Sequence, residues 1–264
     1  MAGDIRRNKI VELIKSQGNI SCVELSRVFK VTPETIRRDL TYLQEQGTLT
    51  RTHGGAIASI EFDLLSSDFR KQENFEQKLS IARKAASFIC DGDVIYFDAG
   101  TTPSLICEFL PQDKNIFIIT NSVECIGKLT DKPNITLIST GGILRRETMA
   151  FTGENAMHAL RSATLNKAFI SAIAVSEKHG VMDSHGDEAS LNRLAIEKAL
   201  ETFLLVDSTK FGKIAYISVC PIDSISTIIT DSRLDPGILA SLKKMQLNVL
   251  IADEEPAARN SQII

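Results

Sequence analysis

From about residue 93 onward, short apolar runs rich in β-branched residues alternate with segments of helical periodicity. Seven of these runs predict strands, and each is apolar almost throughout rather than at every second position. They cover residues 93–98, 115–120, 134–139, 167–175, 202–207, 226–230 and 247–252. Continuously apolar strands separated by helices are typical of a parallel sheet that is buried on both faces. The sequence therefore predicts an α/β fold with a doubly wound, mostly parallel sheet.

The first sixty residues follow a different pattern, which predicts short helices and a hairpin. Residues 5–16 carry apolar side chains at helical spacing, and Ser21 with Glu24 forms a capping box that opens a second helix. Thr32 caps a third helix, which has Pro33 in its first turn. The alternation TLTRTHGG that follows indicates a two-stranded wing. Together these signals predict an all-α winged helix-turn-helix domain.

Composition separates the same two regions. Residues 1–60 contain nine Lys and Arg against six Asp and Glu, a net charge of +3, whereas the remainder of the chain carries −6. A basic module on an acidic body favours a polyanion as the partner of one end only. We assign residues 1–57 to the winged helix-turn-helix, 58–74 to a polar linker and 75–264 to the α/β domain.

Several classes of protein are disfavoured. Five cysteines without a CxxC pair indicate a reduced compartment, and the four histidines show no metal-ligand spacing. The amino terminus does not resemble a signal peptide, and no apolar run reaches the roughly 18 residues of a membrane span. We expect a cytoplasmic protein with no membrane partner and no metal.

The segments after the strands are candidate ligand contacts, because doubly wound sheets bind ligands beyond the carboxyl ends of their strands. AGTTPSL, TNS, TGGILRRE and STKFG follow four of the predicted strands and combine glycines, hydroxyls and cations. In the first, Gly100 permits a tight turn before a helix whose free N–H groups suit a phosphate. No GxGxxG or P-loop is present, so no nucleotide cofactor is predicted. The pattern favours a compact phosphorylated polyol, although turn chemistry and capping explain each segment taken singly.

The segment TIRRDLTYLQEQGTLTRTHGGA resembles the amino-terminal signature of the DeoR/GlpR family of bacterial transcriptional regulators. The resemblance implies that the third helix enters the major groove of DNA and that the wing reaches the backbone or minor groove. Our candidate DNA-binding residues are Ser21, Thr32, Glu34, Thr35, Arg37, Arg38, Arg51 and His53. The alternative is that the two helix arginines form a solvated face, paired with Glu34, Asp39 or Tyr42.

The larger domain contains DAGTT, TNS, GG.LR, AF, DSTKFG and IITD in the order found in the effector domain of the same family. This resemblance implies a fold related to ribose-5-phosphate isomerase and a response to a phosphorylated sugar or sugar acid. The candidate effector-binding residues are Asp98, Gly100, Thr101, Thr102, Asn121, Ser122, Gly141, Gly142, Arg145, Glu188, Asp207 and Lys210. The chain departs from the family pattern at Pro103, Asn166, Ser171 and Asn192, and at Asn192 a usual cation is missing.

Three functions remain open at this point. We favour a repressor of a carbohydrate-utilisation operon that binds double-stranded operator DNA as a homo-oligomer, a dimer or tetramer, and is not an enzyme. The second is a sugar-phosphate isomerase-like enzyme that carries a DNA-binding module. Its acid, base and cation would come from Asp98, Asp183, Asp187, Glu188, Asp207 and Lys210. The third is a DNA-binding protein whose α/β domain serves only for assembly.

Overall fold

The computed structural model describes residues 6–7, 9–11, 13–14, 19–45, 49–51, 55–58 and 67–253. The chain divides into two compact units, Met1–Leu65 and Ser66–Ile264. None of the helices in the described ranges is both long and apolar enough to cross a bilayer.

The amino-terminal unit contains three helices and a small sheet. Its elements are α1 (helical residues 6–7, 9–11 and 13–14), β1 (Asn19–Ser21), α2 (Cys22–Phe29), α3 (Pro33–Glu45), β2 (Leu49–Arg51) and β3 (Gly55–Ala58). The capping box at the start of α2 is confirmed, since Ser21 Oγ accepts the Glu24 N–H at 3.1 Å and Glu24 Oε2 accepts the Ser21 N–H at 2.9 Å. Ile10, Leu25, Ile36, Leu40 and Leu49 form its buried core.

The wing is the antiparallel pair of β2 and β3, with Thr50 opposite Ile57. The strand β1 pairs with the other edge of β3 and makes the sheet three-stranded, in the order β1-β3-β2. This third strand was not predicted. It is only three residues long and lies directly before the capping box, so no alternation of its own marks it.

The second unit is built on a seven-stranded sheet in the order β15-β14-β12-β9-β4-β5-β6. Every neighbouring pair in it is parallel. Its strands are β4 (Val94–Phe97), β5 (Ile116–Thr120), β6 (Ile135–Ser139), β9 (Leu165–Ile170), β12 (Ala199–Leu205), β14 (Thr227–Thr230) and β15 (Val249–Ile251). Each of the seven predicted runs supplies one of these strands, and the parallel sheet is confirmed.

The helices of this unit are α4 (Ser67–Gln72), α5 (Phe75–Ala86), α6 (Thr101–Ile106), α7 (Val123–Leu129), α8 (Glu154–Arg161), α9 (Gly186–Lys198) and α10 (Pro236–Lys244). They cover both faces, because successive strand residues point to opposite sides of the sheet. Tyr96 and Leu204 lie in one buried cluster with α8 and α9, and Phe97 and Phe203 lie in the other with α5, α6 and α7. The fold is therefore doubly wound.

Two smaller sheets complete the unit. The strands β7 (Ile143–Arg145) and β8 (Ala150–Thr152) form a hairpin, and β10 (Ala174–Ser176), β11 (Gly180–Asp183) and β13 (Ile217–Cys220) form an antiparallel sheet. The predicted strand 167–175 is therefore too long. It ends at Ile170 because the N–H of Ser171 donates to the carboxylate of Asp98 at 3.1 Å and not to a strand carbonyl.

The helix α4 lies inside the range that the sequence assigns to a linker. It belongs to the second unit, and its Lys71 forms an ion pair of 3.1 Å with Glu124 of α7. The segment that precedes the predicted α/β domain therefore supplies a structured element to it.

The strand order reverses at β4. From β4 the chain adds β5 and β6 on one side and then returns to place β9 on the other side. Such a reversal opens a crevice between the segments that leave the carboxyl ends of the two central strands. Here those strands are β4 and β9.

Candidate functional site

A polar crevice lies at this reversal, and we call it the switch-point crevice. Asp98 follows β4 and Ser171 follows β9, and the Ser171 hydroxyl donates to Asp98 Oδ2 at 2.7 Å. Gly100 lies beside them with φ of −66°, which any residue can adopt. A Cβ atom at position 100 would lie 1.9 Å from Ser171 Oγ. The tight-turn explanation for Gly100 is therefore wrong, and the close approach of Ser171 is what requires glycine.

One part of the crevice, the cationic lobe, contains Arg70, Lys78 and Lys210 with the hydroxyls of Thr101 and Thr102. Lys78 is only 4% exposed, and its Nζ donates to the carbonyl oxygen of Arg70. Burial, and then the charge of Lys210, lower the pKa of Lys78 to about 8. Three cations thus face one small volume, and an anion placed there would relieve their repulsion.

Carboxylates also border the cationic lobe. Glu73 and Asp207 both line it. Asp207 caps the turn that follows β12, where its Oδ1 accepts the N–H of Thr209 at 3.1 Å and the Nδ2 of Asn74 at 3.2 Å. These hydrogen bonds use the carboxylate to hold the turn that carries Lys210.

The other part, the acidic lobe, contains Asp98, Asp183 and Glu188 together with His185 and Thr148. Burial, then the charge of Asp98, raise the pKa of Asp183 to about 6. Burial, then the charge of Asp183, raise the pKa of Glu188 to about 7. Burial also raises the pKa of Asp98, and hydrogen bonds from Ser171 and Asn192 lower it in part. Two buried carboxyl groups and the half-buried Glu188 therefore share a site that suits hydrogen-bond donors.

Two basic groups approach the same carboxylates. Arg145 Nε lies 3.6 Å from Glu188 Oε1, and Thr148 Oγ1 donates to that oxygen at 2.7 Å. His185 Nδ1 lies 3.9 Å from Asp183 Oδ1, and burial lowers the pKa of His185. One ligand atom from each of Asp183, His185 and Glu188 falls within 4.8 Å of the others, a cluster that could hold a metal ion and that the sequence did not predict.

Several buried polar atoms in this region have no hydrogen-bond partner among the described residues. They are Arg70 Nε, Arg145 Nε, Ser184 Oγ, His185 Nε2 and Asn192 Oδ1. Buried polar groups in native proteins are nearly always paired, because leaving one unpaired costs about 1–3 kcal/mol. Their concentration around one crevice indicates a site for a polar ligand.

The structure brings together seven of the twelve predicted effector-binding residues. Those that line the crevice are Asp98, Gly100, Thr101, Thr102, Glu188, Asp207 and Lys210. They come from the ends of β4 and β12 and from the first turn of α9. Arg145, on the β7–β8 hairpin, reaches the acidic lobe through Glu188.

Four predicted residues lie outside both lobes. Asn121 accepts from the Tyr96 hydroxyl at 3.1 Å, and Ser122 Oγ accepts the Cys125 N–H at 3.1 Å as the cap of α7. Gly141 and Gly142 have φ of +61° and +112° and lead the chain from β6 into the β7–β8 hairpin.

Sequence reasoning missed Arg70, Lys78, Thr148 and His185 and treated Ser171 only as a departure. Asp183 was considered only as part of an enzyme. One signal was available for Lys78, because it lies three residues before Ile81 and four before Ala82, on the apolar stripe of α5. A lysine on a buried stripe needs an explanation.

In the amino-terminal unit, α3 presents Arg37 and Arg38 to solvent. Arg37 forms an ion pair of 3.2 Å with Glu34, and both side chains are more than half exposed. Arg38 makes no ion pair with any residue in the described ranges. Thr32 Oγ1 accepts the Thr35 N–H at 3.3 Å at the start of the helix.

The other two residues of the alternative pairing face α1 instead. Asp39 is 3% exposed and accepts from Arg6 Nε at 2.6 Å and from Arg6 Nη2 at 3.3 Å. The guanidinium of Arg7 lies 4.2 Å from the centre of the Tyr42 ring. Arg51 is the last residue of β2, and His53 lies outside the described residues.

Comparison with known proteins gives the family. The DeoR-like helix-turn-helix domain matches residues 6–61, and the DeoR C terminal sensor domain matches residues 73–232. The chain belongs to the DeoR family of transcriptional regulators. As expected for a DeoR protein, it joins a helix-turn-helix domain to a parallel α/β sheet.

Named relatives of this DeoR-family protein are transcriptional regulators. The chain is 37% identical over 246 residues to the uncharacterised HTH-type transcriptional regulator YulB of Bacillus subtilis, covering 92% of this chain and 95% of that one. It is 38% identical over 236 residues to the lactose phosphotransferase system repressor of Lactococcus lactis, covering 88% and 92%. Among solved structures, ribose 5-phosphate isomerase A from Methanocaldococcus jannaschii matches with a TM-score of 0.39 and 22% identity, over 53% of this chain and 55% of that one.

Proposed function

We propose that this DeoR-family regulator represses genes of carbohydrate use and that a phosphorylated sugar in the switch-point crevice changes its affinity for operator DNA. The observation that carries the proposal is the crevice itself, in which three cations face one lobe and three carboxyl groups face the other. The repressor name of a relative at 38% identity supports the sign of the regulation.

The two lobes favour different ends of one ligand. A phosphate suits the cationic lobe, where Arg70, Lys78 and Lys210 would donate charge-assisted hydrogen bonds to it. Sugar hydroxyls suit the acidic lobe, where Asp98, Asp183 and Glu188 accept hydrogen bonds. A sugar acid would bring a further carboxylate toward these three, so a phosphorylated sugar without a carboxylate is the better fit.

For DNA binding, we propose that α3 lies in the major groove with Thr35, Arg37 and Arg38 at bases or phosphates. Ser21, Thr32 and Glu34 would approach the same groove from the starts of α2 and α3. The wing would add Arg51 and His53. A homo-oligomer, a dimer or tetramer, would place two such helices on paired half-sites. The protein would act in the cytoplasm.

We propose that the protein has no catalytic activity. Asp183 and Glu188 have raised pKa values and so resemble general bases, which keeps the isomerase reading as the alternative. The helix-turn-helix domain and the regulator names of the relatives favour sensing over turnover. Conversion of a pentose or hexose phosphate by the purified protein, lost in Lys210→Ala, would overturn this part of the proposal.

The test is fluorescence anisotropy of the purified full-length protein on duplex DNA from upstream of its own gene, with and without sugar phosphates. Glucose 6-phosphate, fructose 6-phosphate and ribose 5-phosphate are the first probes, and the unphosphorylated sugars are their controls. We expect tight, salt-dependent binding that one phosphorylated sugar alters. A ligand present at a hundred times its Kd should also stabilise the protein by about 2.7 kcal/mol. DNA binding without a thermal or anisotropy response across the panel would favour the assembly-domain reading.

A further inference from the structure

In the sequence, Arg70 lies shortly after the boundary between the two units. The two units divide between Leu65 and Ser66, and the helix α4 that contains Arg70 begins at Ser67. Arg70 also borders both the cationic and the acidic lobes. One side chain from the first helix after the helix-turn-helix unit therefore lines both lobes of the crevice.

The guanidinium of Arg70 is close to ionisable groups in both lobes. It lines one lobe together with Lys78 and the other together with Asp183 and His185. Its Nε is buried and has no hydrogen-bond partner among the described residues. An arginine presents its donors in a fixed planar fork that matches phosphate, so the unused donor favours an anionic ligand.

Tertiary contacts hold α4 in place. The helix has six residues, and a helix of this length is not stable without tertiary contacts. Lys78 Nζ, from inside the crevice, donates to the carbonyl oxygen of Arg70. Outside the crevice, Lys71 pairs with Glu124 of α7 at 3.1 Å. Because one of these contacts comes from a crevice lysine, a ligand that engages Lys78 and Arg70 acts directly on the position of α4.

We infer that Arg70 binds the anionic group of the effector and that this contact couples occupancy of the crevice to the DNA-binding unit through α4. The inference rests on the proposed function, in which the crevice binds a phosphorylated sugar. Coupling requires that the ligand bind two arrangements of the protein unequally. A contact from α4 supplies such a difference, because it is made only where α4 is docked.

The experiment separates binding from coupling. Arg70→Gln removes the charge, Arg70→Lys keeps it, and Arg83→Gln is the matched control on an exposed position of α5. Thr101→Ala changes a crevice residue that is not on α4. For each full-length protein, calorimetry gives the Kd of whichever of glucose 6-phosphate, fructose 6-phosphate and ribose 5-phosphate binds the wild type. Anisotropy then gives the ratio of DNA affinities with and without that probe at saturation, and melting without probe verifies folding.

We expect Arg70→Gln to raise the Kd of the probe at least about tenfold, since a charge-assisted hydrogen bond is lost. Its DNA-affinity ratio should stay near one even at saturation. Thr101→Ala should also bind the probe more weakly, yet recover the wild-type ratio once saturated. Arg83→Gln should match the wild type, and Arg70→Lys should lie between the wild type and Arg70→Gln in both measurements.

Two results would overturn the inference while leaving the proposed function intact. Wild-type affinity of Arg70→Gln for the probe would exclude Arg70 from the ligand site. A wild-type DNA-affinity ratio of Arg70→Gln at saturation would make it a binding residue without a role in coupling. If the wild type binds none of the three phosphates, the proposed function and this inference fail together. Should Arg70→Gln not fold, Arg70→Lys decides, because a normal Kd and a normal ratio in that variant would remove the requirement for the arginine fork.

Discussion

The helix α3, which we propose binds DNA, and the switch-point crevice differ in how the chain builds them. The helix presents Arg37 and Arg38 from one continuous segment of thirteen residues, and both are exposed. The crevice collects its polar groups from α4, α5, α9 and the ends of β4, β9 and β12, and each of them is buried or half-buried. A surface built from one segment depends on local order, whereas a site built from many segments depends on the whole topology.

The largest expected effect tests whether the position of α3 depends on its contact with α1. Asp39 is buried against Arg6 of α1, and removing one member of a buried ion pair typically costs about 3–5 kcal/mol. We expect Asp39→Asn to destabilise the amino-terminal unit by an amount of this order and to abolish DNA binding, while sugar-phosphate binding persists. Thermal melting and anisotropy on the same protein measure both.

Glu34→Gln is the matched control, because Glu34 and Arg37 form an exposed pair on the same helix. Exposed pairs contribute about 0–1 kcal/mol, so its melting temperature should barely change. If the two variants melt alike, the buried contact with α1 does not hold α3 in place.

The next effect tests the close packing at the centre of the crevice. Gly100→Ala would place a Cβ 1.9 Å from Ser171 Oγ and 2.6 Å from its Cβ, so either the turn or β9 must shift. We expect a loss of about 1–3 kcal/mol in stability, with weaker sugar-phosphate binding, because overpacking displaces the lining groups. Calorimetry and melting measure the two effects.

The second substitution Ser171→Gly removes both obstructing atoms. The double variant should therefore recover part of the lost stability, and a double-mutant cycle gives the coupling between the two positions. Strict additivity of the two single changes would mean that Ser171 is not the reason for glycine at position 100.

The same contrast explains what the sequence could and could not predict. All seven strands of the parallel sheet were predicted, because a continuous apolar run is a local signal. The end of β9 at Ile170 was not, since the apolar run continues to Val175. What stops the strand is the hydrogen bond from Ser171 to Asp98, 73 positions away in sequence.

The residues of the candidate site likewise fall into those with a local sequence signal and those that only the packing shows. Residues such as Thr101 and Lys210 lie in the segments that follow β4 and β12, and the rule for doubly wound sheets predicted that these segments meet at the crevice. Arg70 lies in a segment whose polar composition indicated a linker, and only its packing in the second unit places it at the crevice. Ser122 stays a prediction, because it caps α7 here and a serine that caps a helix has the same sequence pattern as a serine that binds phosphate.

A smaller effect concerns the exposed arginines of α3. Arg38→Ala should weaken DNA binding by about 1–3 kcal/mol if the side chain contacts a base. Arg37→Ala should weaken it by a comparable or smaller amount, because Glu34 competes with DNA for the Arg37 guanidinium. Sugar-phosphate binding should be unchanged in both, and Arg83→Ala of α5 is the control for nonspecific loss of charge. Salt titrations of the anisotropy signal distinguish base from phosphate contacts, since losing a phosphate contact reduces the salt slope by about one. Wild-type DNA affinity in both variants would remove α3 from the interface.

Counted for each pH unit, the smallest effect is the pH dependence of the crevice. The folded-state pKa of Glu188 is about 7, above its ordinary value of 4.5, so between these values the folded protein holds a proton that the unfolded chain has released. Stability therefore falls as pH rises from about 4.5 to about 7, by on the order of 1 kcal/mol for each pH unit. Asp183, with a pKa raised to about 6, contributes in the same direction over a lower range. Glu188→Gln cannot lose this proton, and melting from pH 5 to 7.5 should show a shallower decline than in the wild type. An unchanged slope would mean that Glu188 is already ionised in the folded protein, where Arg145 lies 3.6 Å away. The free energy needed to ionise the acidic lobe would then be smaller than its burial indicates.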